Sequence, residues 1–217
     1  YNKTLRQRNQ LLAQIAFQED LVDTLEVWDS QLVQYGASII EKRKAFIEEL
    51  NEIIGGIHQK LTGGREEIIV TYENQVDANA FMDQLKKRRE MDLRYRNTGT
   101  GPHRDDIKFM VNGIDVRTYG SQGQQRSAAL SLKLAEIELV KKKTKDKPVL
   151  LLDDVLSELD SNRKRYLLEG IQDIQTFITC TGLEEFVNSQ LAIDKMFYVK
   201  NGKIVKEEQE ASHEHGK

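Results

Sequence analysis

The sequence predicts an α/β protein in which a helical region, residues 1–97, precedes a region, residues 98–217, where strands and helices alternate. In the first region, apolar residues recur at helical spacing, and only one short apolar segment, residues 68–72, has the character of a strand. Beyond residue 98, short apolar runs bounded by turn residues alternate with helical patterns, which is typical of α/β domains. We therefore expect a helical arm domain with one strand, followed by a domain built around a sheet.

The helical arm should consist of long amphipathic helices that each bury one apolar stripe. Glu19 and Asp20 predict the start of a second helix, because carboxylates are stabilised at the positive end of the helix dipole. Two glycine pairs, at 55–56 and 63–64, predict breaks in the helical pattern. A further helix is expected over residues 77–96.

The second region has the pattern of a hairpin followed by alternating strands and helices. The pair at 112–113, Asn-Gly, lies between two apolar runs and predicts a type I′ turn. The continuous apolar run at 149–152 predicts a strand that is buried on both faces. A second Asn-Gly pair, at 201–202, predicts a last hairpin before a polar tail that begins at Glu207. The remaining elements expected are helices over 121–143, 161–172 and 183–190, and strands over 175–180 and 196–200.

Bulk composition excludes some classes of protein. Of the 217 residues, 39% are hydrophobic and 31% are charged, and no apolar run approaches the length of a membrane span. A net charge of −3 neither favours nor opposes nucleic acid, so any DNA contact must come from a local patch. The single cysteine, Cys180, excludes an intrachain disulfide and, with no secretory leader visible, predicts a cytoplasmic protein. The sequence opens at Tyr1 within a helical pattern, which suggests a piece of a longer protein.

Two carboxylates follow the apolar run at 149–152. In open α/β sheets, ligands bind at the carboxyl ends of the strands. Asp153 is therefore a candidate to hold Mg²⁺, and Asp154 a candidate to polarise a water for attack on a γ-phosphate. The alternative is an ordinary strand that leads into an acidic helix cap, since aspartate also accepts hydrogen bonds from the first amides of a helix. The pair alone leaves both interpretations open.

A glycine-rich segment precedes the helix expected at 121–143. A serine hydroxyl and the backbone N–H groups at a helix N-terminus form an anion site that suits phosphate oxygens. A glycine such as Gly123 lets the backbone approach a ligand closely. The alternative is a plain glycine-rich turn in which Ser121 is the helix cap. The segment consists of Tyr119, Gly120, Ser121, Gln122, Gly123, Gln124, Gln125 and Arg126.

In this order, the two segments resemble motifs of known ATPases. Residues 119–126 resemble the signature loop of ABC ATPases, with Ser121, Gly123 and Gln124 at its serine, second glycine and glutamine places. Residues 153–160 resemble the Walker B and D-loop stretch of SMC-like ATPases, including its final Leu-Asp. The presence of both segments, in this order and on the expected secondary structure, argues against a plain turn at 119–126 and against a simple helix cap at 153–154.

A third segment makes the resemblance specific to one family among the SMC-like ATPases. Residues 101–106, Gly-Pro-His-Arg-Asp-Asp, precede the signature-like loop. With the two motifs above, they resemble the RecF family of bacterial recombinational-repair proteins over about residues 1–200. Pairs in the helical region that also fit this family are Arg8-Asn9 and Trp28-Asp29.

The resemblance implies the C-terminal part of an ABC-type ATPase lobe preceded by a helical arm. It implies an ATP-dependent homodimer that binds double-stranded DNA and single/double-strand junctions or gaps, and that helps load RecA together with RecO and RecR. ATP and Mg²⁺ would lie between two subunits, with Asp153 on the metal and Asp154 as the catalytic base. The residues implied in ATP binding are Ser121, Gln122, Gly123, Gln124, Gln125, Arg126, Asp160 and Thr181.

The sequence departs from the ABC pattern in three places. It contains no Gly-x-x-x-x-Gly-Lys-Ser/Thr phosphate loop (Walker A), so we expect little nucleotide affinity and no ATPase activity from this chain alone. Thr181 stands where many ABC proteins have a histidine, and a hydroxyl does not titrate near neutral pH, which leaves Asp154 as the base. Asp154 stands where most ABC enzymes have a glutamate, so turnover is expected to be slow.

A basic run in the arm supports an alternative function. Lys86, Lys87, Arg88 and Arg89 would contact DNA phosphates, although an amphipathic helix with a solvated basic face has the same sequence. The chain would then be a nucleotide-independent module that binds DNA or a RecR-like partner through its arm. An SMC-like ATPase with a long coiled coil is a weaker alternative, because residues 1–97 lack sustained heptads.

The segment at 101–106 has two interpretations. In the first, His103 and Arg104 contact the nucleotide, or they transmit its bound state to the helix expected at 121–143. Alternatively, they belong to a turn in which Arg104 pairs with Asp105 or Asp106.

Overall fold

A computed structural model of the chain describes residues 1–181 and 193–208, except for the side chains at 158 and 206–208. Close contacts divide the chain into two compact units, Tyr1–Pro148 and Val149–Lys217. The first unit therefore contains the whole of the predicted arm together with residues 98–148. The assignment of residues 98–217 to a single ATPase domain stays a prediction.

Three helices form the N-terminal part of the first unit. They are α1 (Asn2–Ile15), α2 (Leu25–Thr62) and α3 (Phe81–Tyr95). A 3₁₀ helix at Glu19–Thr24 connects α1 to α2, so the second α-helix begins later than the acidic pair suggests. Each α-helix buries an apolar stripe, as the sequence predicts. One cluster consists of Leu11, Leu12, Ile15 and Leu25, and another consists of Leu32, Ile40, Val76, Phe81 and Leu85.

Helix α2 runs through the glycine pair at 55–56, so the break predicted there is wrong. A glycine inside a helix costs about 1 kcal/mol relative to alanine. Ile54 and Leu61, on either side of the pair, are buried, and each contributes about 1.5–3 kcal/mol on burial, which outweighs that cost. The predicted break at 63–64 is confirmed: α2 ends at Gly63, whose φ of 65° is a left-handed conformation that glycine adopts readily.

A buried ion cluster joins the three helices. Arg8 of α1 donates from Nε to Asp29 Oδ1 of α2 at 2.6 Å, and from Nη1 to Asp92 Oδ2 of α3 at 2.8 Å. The same Nη1 lies 2.8 Å from Thr98 Oγ1, and Arg89 lies 3.1 Å from the other oxygen of Asp29. Two arginines thus face two buried carboxylates, and the segment that follows α3 is fixed to α1 and α2.

A three-stranded antiparallel sheet packs against the C-terminal part of α2. Its strands are β1 (Ile68–Glu73), β2 (Asp106–Val111) and β3 (Ile114–Asp115). Strands β1 and β2 pair along their whole length, across the predicted arm boundary at residue 97. Between β2 and β3, Asn112 and Gly113 both have positive φ, as a type I′ turn requires.

Two helices complete the first unit, α4 (Val116–Tyr119) and α5 (Gln122–Thr144). The long helix α5 packs along α2, and its buried face is rich in small residues that allow a close approach of the two backbones. The core between α2, the sheet and α5 consists of Ile47, Leu50, Ile54, Ile68, Val70, Val111, Val116, Ala128, Ala135 and Leu139.

The second unit contains a strand–helix–strand element and a hairpin. Strands β4 (Leu150–Asp153) and β5 (Thr176–Thr179) pair in parallel, with α6 (Ser161–Gly170) between them in sequence. Strands β6 (Met196–Lys200) and β7 (Lys203–Glu208) form an antiparallel hairpin, and β7 enters the predicted tail. The helix predicted at 183–190 lies outside the described residues. Within residues 1–181 and 193–208, no helix has both the length and the apolar character of a membrane span.

Strand β4 is not buried on both faces, which corrects the prediction from its apolar run. Leu152 is 9% exposed, but its neighbour Leu151 is 74% exposed, and Phe177, opposite Leu151 on β5, is 54% exposed. An apolar run signals two buried faces only where further layers cover the sheet. In the part of the chain that is described, β4 pairs with β5 alone.

Candidate functional site

The loop that carries Ser121 is shaped by a short turn before α5. Asp115 caps α4 by accepting the backbone N–H of Arg117 at 3.0 Å. Gly120 then approaches α4 closely, because a Cβ at this position would lie 2.6 Å from the carbonyl oxygen of Val116. Any side chain at residue 120 would therefore displace the backbone that leads into Ser121.

Ser121 and Gln124 form a capping box at the start of α5. Ser121 Oγ accepts the N–H of Gln124 at 3.2 Å, and Gln124 Oε1 accepts the N–H of Ser121 at 3.0 Å. The Nε2 group of Gln125 donates to the carbonyl of Val116 at 3.1 Å. The structural role of Ser121 as a cap is compatible with phosphate binding, because Ser121 is exposed and the cap uses only one lone pair of Oγ.

The other predicted ATP-binding residues of the loop lie on the same turn of α5. Gln122 and Arg126 are exposed, whereas Gly123 is half-buried. The carbonyl of Gly123 accepts a hydrogen bond from Ser127 Oγ, one turn further along α5, at 2.8 Å. The arrangement places a hydroxyl, amide side chains and a guanidinium group near one helix N-terminus, where an anion is favoured.

The two acidic residues lie at the carboxyl end of β4, and both are exposed. Asp153 is opposite Thr179 of β5, and Thr179 Oγ1 donates to Asp153 Oδ1. Asp154 has a φ of 51°, and its N–H lies 3.2 Å from the carbonyl oxygen of Thr179 and 3.1 Å from Oγ1. A left-handed conformation costs an L-residue roughly 1 kcal/mol, a cost that these contacts with β5 offset.

Asp160 caps α6. Its Oδ1 accepts the N–H groups of Asn162 at 3.1 Å and Arg163 at 3.0 Å, and its Oδ2 lies 2.5 Å from Nη1 of Arg163. The backbone N–H and the positive charge of Arg163 hold the pKa of Asp160 below its usual value. This cap accounts for the aspartate at residue 160, and its role in ATP binding stays a prediction.

Thr179, rather than Thr181, is the threonine that contacts the acids. Thr181 is exposed and lies two residues beyond the end of β5, so its predicted contact with phosphate stays a prediction. Thr179 was not predicted from the sequence, because its position depends on the register between β4 and β5. The available signal was a hydroxyl residue at the last position of the neighbouring strand.

These residues fit part of a Mg²⁺–nucleotide site. No group of three or more His, Cys, Asp or Glu that could hold a metal ion occurs in the described ranges. Magnesium bound with a nucleotide usually takes one or two carboxylates, and phosphate oxygens and waters supply its other ligands. Asp153, exposed at a strand end, suits such a role. Ser121 belongs to the first unit and Asp153 to the second, and the sequence has no phosphate loop.

The known proteins that match this sequence align with almost the whole chain. No family model matches the sequence. Proteins from Agathobacter rectalis and Lachnospira eligens, both named DNA replication and repair protein RecF, are 58% and 59% identical to it over 204 and 209 residues. Over the residues that it spans, the chain belongs to the RecF family. The aligned residues are 94% and 95% of this chain, but only 56% and 58% of those two relatives.

Solved RecF structures share the fold of this RecF-family chain. The recombination mediator protein RecF-ATPrS in the RecFOR pathway matches with a TM-score of 0.82 and 40% identity, over 94% of this chain and 56% of the other. The RecF-ATP structure of the same pathway matches with a TM-score of 0.80 and 37% identity, over 97% and 57%. The α/β fold class predicted from the sequence is confirmed.

The basic run of this RecF-family chain is only partly free to contact a ligand. Lys86 and Lys87 on α3 are exposed. Arg89 is paired with the buried Asp29, and the guanidinium of Arg88 lies close to Gly99, where a Cβ would be 2.6 Å from its Nη2. Arg89 thus has a structural role and Arg88 packs against Gly99, and DNA contact by any of the four residues stays a prediction.

His103 lies in the first unit, in a cleft of about 450 Å³ whose lining includes Tyr1 and Arg43. Its Nε2 lies 3.0 Å from the carbonyl of Thr98, which can only accept, so Nε2 carries the hydrogen and Nδ1 accepts from the Tyr1 hydroxyl at 2.7 Å. Burial lowers the pKa of His103, which agrees with this neutral form.

The predicted pairing of Arg104 with a neighbouring aspartate is wrong. Asp105 contacts the Tyr72 hydroxyl and lies 3.7 Å from Arg43, whereas Asp106 lies 2.7 Å from Arg117. Both carboxylates are therefore directed to other partners, and Arg104 is exposed.

Proposed function

We propose that this chain contributes the signature loop and the catalytic acids of an ATP-dependent, DNA-binding dimer of the RecF type. In the full-length protein, ATP and Mg²⁺ would lie between two subunits. One subunit would supply a phosphate loop with Asp153 and Asp154, and the other would supply the loop around Ser121. Because each subunit contributes the same surface, the dimer would have two-fold symmetry.

The proposal is supported by two exposed groups of residues in one RecF-family chain, each with a geometry that suits phosphate or Mg²⁺. Ser121 begins a 23-residue helix with its hydroxyl accessible to solvent. Asp153 and Asp154 end a parallel strand, the position where α/β sheets bind ligands. The similarity to a RecF structure with ATP supports nucleotide as the ligand.

Each group has a distinct chemical role in the proposal. Asp153 would hold Mg²⁺, which neutralises charge on the phosphates, and Asp154 would accept a proton from the attacking water. The Ser121 hydroxyl, with Gln122, Gln124, Gln125 and Arg126, would bind phosphate oxygens of the ATP held by the partner subunit. Slow hydrolysis suits a protein whose ATP-bound dimer holds DNA at gaps or junctions and acts with RecO and RecR to load RecA.

Separate substitution of the two acids tests this division of roles in the full-length protein. Asp153→Asn should weaken Mg²⁺–ATP binding, because it removes a charge from the metal. Asp154→Asn should leave binding nearly unchanged and reduce hydrolysis by roughly 10²–10⁴-fold, the usual contribution of a general base. Asp173→Asn, an exposed acid of the same unit, is the control. Equal loss of nucleotide binding in both variants would contradict the assignment.

The second candidate function is a nucleotide-independent module that binds DNA or a RecR-like partner through the arm. The exposure of Lys86 and Lys87 on one helix favours it. DNA binding by the full-length protein that is the same with and without ATP would favour this module over the ATP-dependent dimer.

A further inference from the structure

A line of buried hydrogen bonds connects the start of α5 to α2. Ser127 Oγ donates to the carbonyl of Gly123 at 2.8 Å, and one turn later Ser131 Oγ donates to the carbonyl of Ser127 at 2.7 Å. On the facing helix, His58 Nδ1 lies 2.8 Å from Ser131 Oγ. Ser127, Ser131 and His58 are all 0% exposed, so their polar groups must find partners within the protein.

These contacts decide which nitrogen of His58 carries a hydrogen. The Ser131 hydroxyl has one hydrogen, and the carbonyl of Ser127 takes it, because otherwise two oxygen atoms would face each other at 2.7 Å without a proton. Ser131 Oγ therefore accepts from His58, and Nδ1 is protonated. The second ring nitrogen, Nε2, lies 3.4 Å from Oε2 of Glu66, in the segment between α2 and β1.

The proximity of Glu66 to His58 requires a proton in addition to the one on Nδ1. An unprotonated Nε2 and a carboxylate oxygen 3.4 Å apart would repel each other, so one of these two atoms carries a proton. Imidazole is a stronger base than a carboxyl group, and Nε2 and Oε2 are close enough to form an ion pair. The ion-pair distance therefore favours a proton on His58, as an imidazolium ion, over a proton on Glu66.

We infer that His58 is a positioning residue for the loop around Ser121. Its imidazolium ion, paired with Glu66, holds Ser131, and through Ser127 it fixes the turn of α5 that begins at Gly123. A charged donor forms a hydrogen bond roughly twice as strong as a neutral one. The contact lies two helical turns from Gly123, on the side of α5 that faces α2, so it does not compete with a ligand at the loop.

The functional consequence rests on the proposed role of the loop in ATP-dependent dimerisation. Loss of the His58 contact should therefore weaken dimerisation even though His58 does not contact the nucleotide.

Nitrogen NMR of the full-length protein with ¹⁵N-labelled histidine tests the protonation of His58, with His58→Gln identifying its signals. We expect both ring nitrogens to be protonated at pH 7. Glu66→Gln should convert the ring to the neutral form that is protonated at Nδ1 alone, because a glutamine amide can donate to Nε2. A neutral His58 in the unchanged protein would overturn the inference.

Amide exchange and ATP-dependent dimerisation test the positioning role. In His58→Leu and in the smaller change Ser131→Ala, exchange of the amides over residues 123–131 should rise by roughly 5- to 10-fold, the effect of one lost buried hydrogen bond, and ATP-dependent dimerisation should weaken. Glu66→Gln, which keeps the contact with Ser131 through a neutral ring, should show a smaller effect on both properties than either of these variants. Lys133→Gln, on the exposed side of α5, is the matched control.

Two outcomes separate the inference from the proposed function. If the unchanged protein dimerises with ATP and both variants behave as it does, His58 has no positioning role. If the unchanged protein does not dimerise with ATP, the proposed function fails, and the exchange of residues 123–131 still decides whether His58 holds α5.

Discussion

The hydroxyl of Thr179 donates a hydrogen bond to the carboxylate of Asp153 at the end of the parallel strand pair. The same hydroxyl lies 3.1 Å from the N–H of Asp154. One side chain on β5 therefore orients the candidate metal ligand and fixes the backbone of the candidate base. Groups that orient a metal ligand in this way typically contribute 10–100-fold to metal affinity or activity.

Removal of this hydroxyl should weaken the Mg²⁺ affinity of the full-length protein. We expect Thr179→Val, which keeps the shape of the side chain, to raise the Mg²⁺ concentration needed for ATP hydrolysis by roughly 10-fold or more. Thr181→Val is the matched control and should have a smaller effect. A larger effect at Thr181 would restore the position that sequence reasoning favours and remove Thr179 from the site.

The buried ion cluster should be important for the stability of the first unit. Arg8→Met leaves Asp29 with Arg89 alone and removes the arginine from Asp92, so we expect a loss of about 3–5 kcal/mol in the free energy of unfolding. Arg6→Met, an exposed neighbour on α1, should change stability by less than about 0.5 kcal/mol. Urea unfolding measures both variants, and equal midpoints would show that the cluster contributes nothing.

The 217-residue chain by itself should bind nucleotide weakly. Ligand stabilisation follows RT ln(1 + [L]/Kd), so a site that lacks its phosphate loop yields almost no thermal shift at millimolar ATP. Thermal unfolding with and without Mg²⁺–ATP measures this. A saturable shift at micromolar ATP would reveal a phosphate site that neither the sequence nor the fold suggests.

DNA contact through α3, if it occurs, should depend on the exposed lysines. Lys86→Gln and Lys87→Gln should each weaken DNA binding by the full-length protein. Each should also reduce the slope of log K against log[salt] by about one, the effect of one lost phosphate contact. Lys42→Gln, exposed on α2, is the control. Unchanged affinity and salt dependence in both variants would exclude this helix face as a DNA surface.

Local sequence patterns predicted the elements whose structure is decided locally. The Asn-Gly pairs formed tight turns because both residues accept positive φ, and α5 began at Ser121 because serine followed by Gln124 makes a capping box. The apolar run of β4 and the strand at 68–73 were likewise visible.

Features that depend on distant residues were not predictable from those patterns. Helix α2 passes Gly55 because side chains on both sides are buried by other elements. The pairing of β1 with β2 crosses the predicted domain boundary at residue 97, because strand pairing depends on contacts between residues that are distant in sequence. The contact of Thr179 with Asp153 follows from a strand register that one sequence does not reveal.

The central claim is that Ser121 contacts phosphate across a dimer interface, and substitution of Ser121 tests it most directly. The full-length protein, Ser121→Ala and Ser121→Arg would be compared by analytical ultracentrifugation with and without a non-hydrolysable ATP analogue. If Ser121 is only a cap, both variants should lose about 1 kcal/mol of stability and still dimerise. We predict instead that Ser121→Arg binds ATP as a monomer with nearly unchanged affinity and fails to dimerise, because its side chain fills the space of the partner's phosphate. A Ser121→Arg protein that dimerises normally on addition of nucleotide would contradict the account.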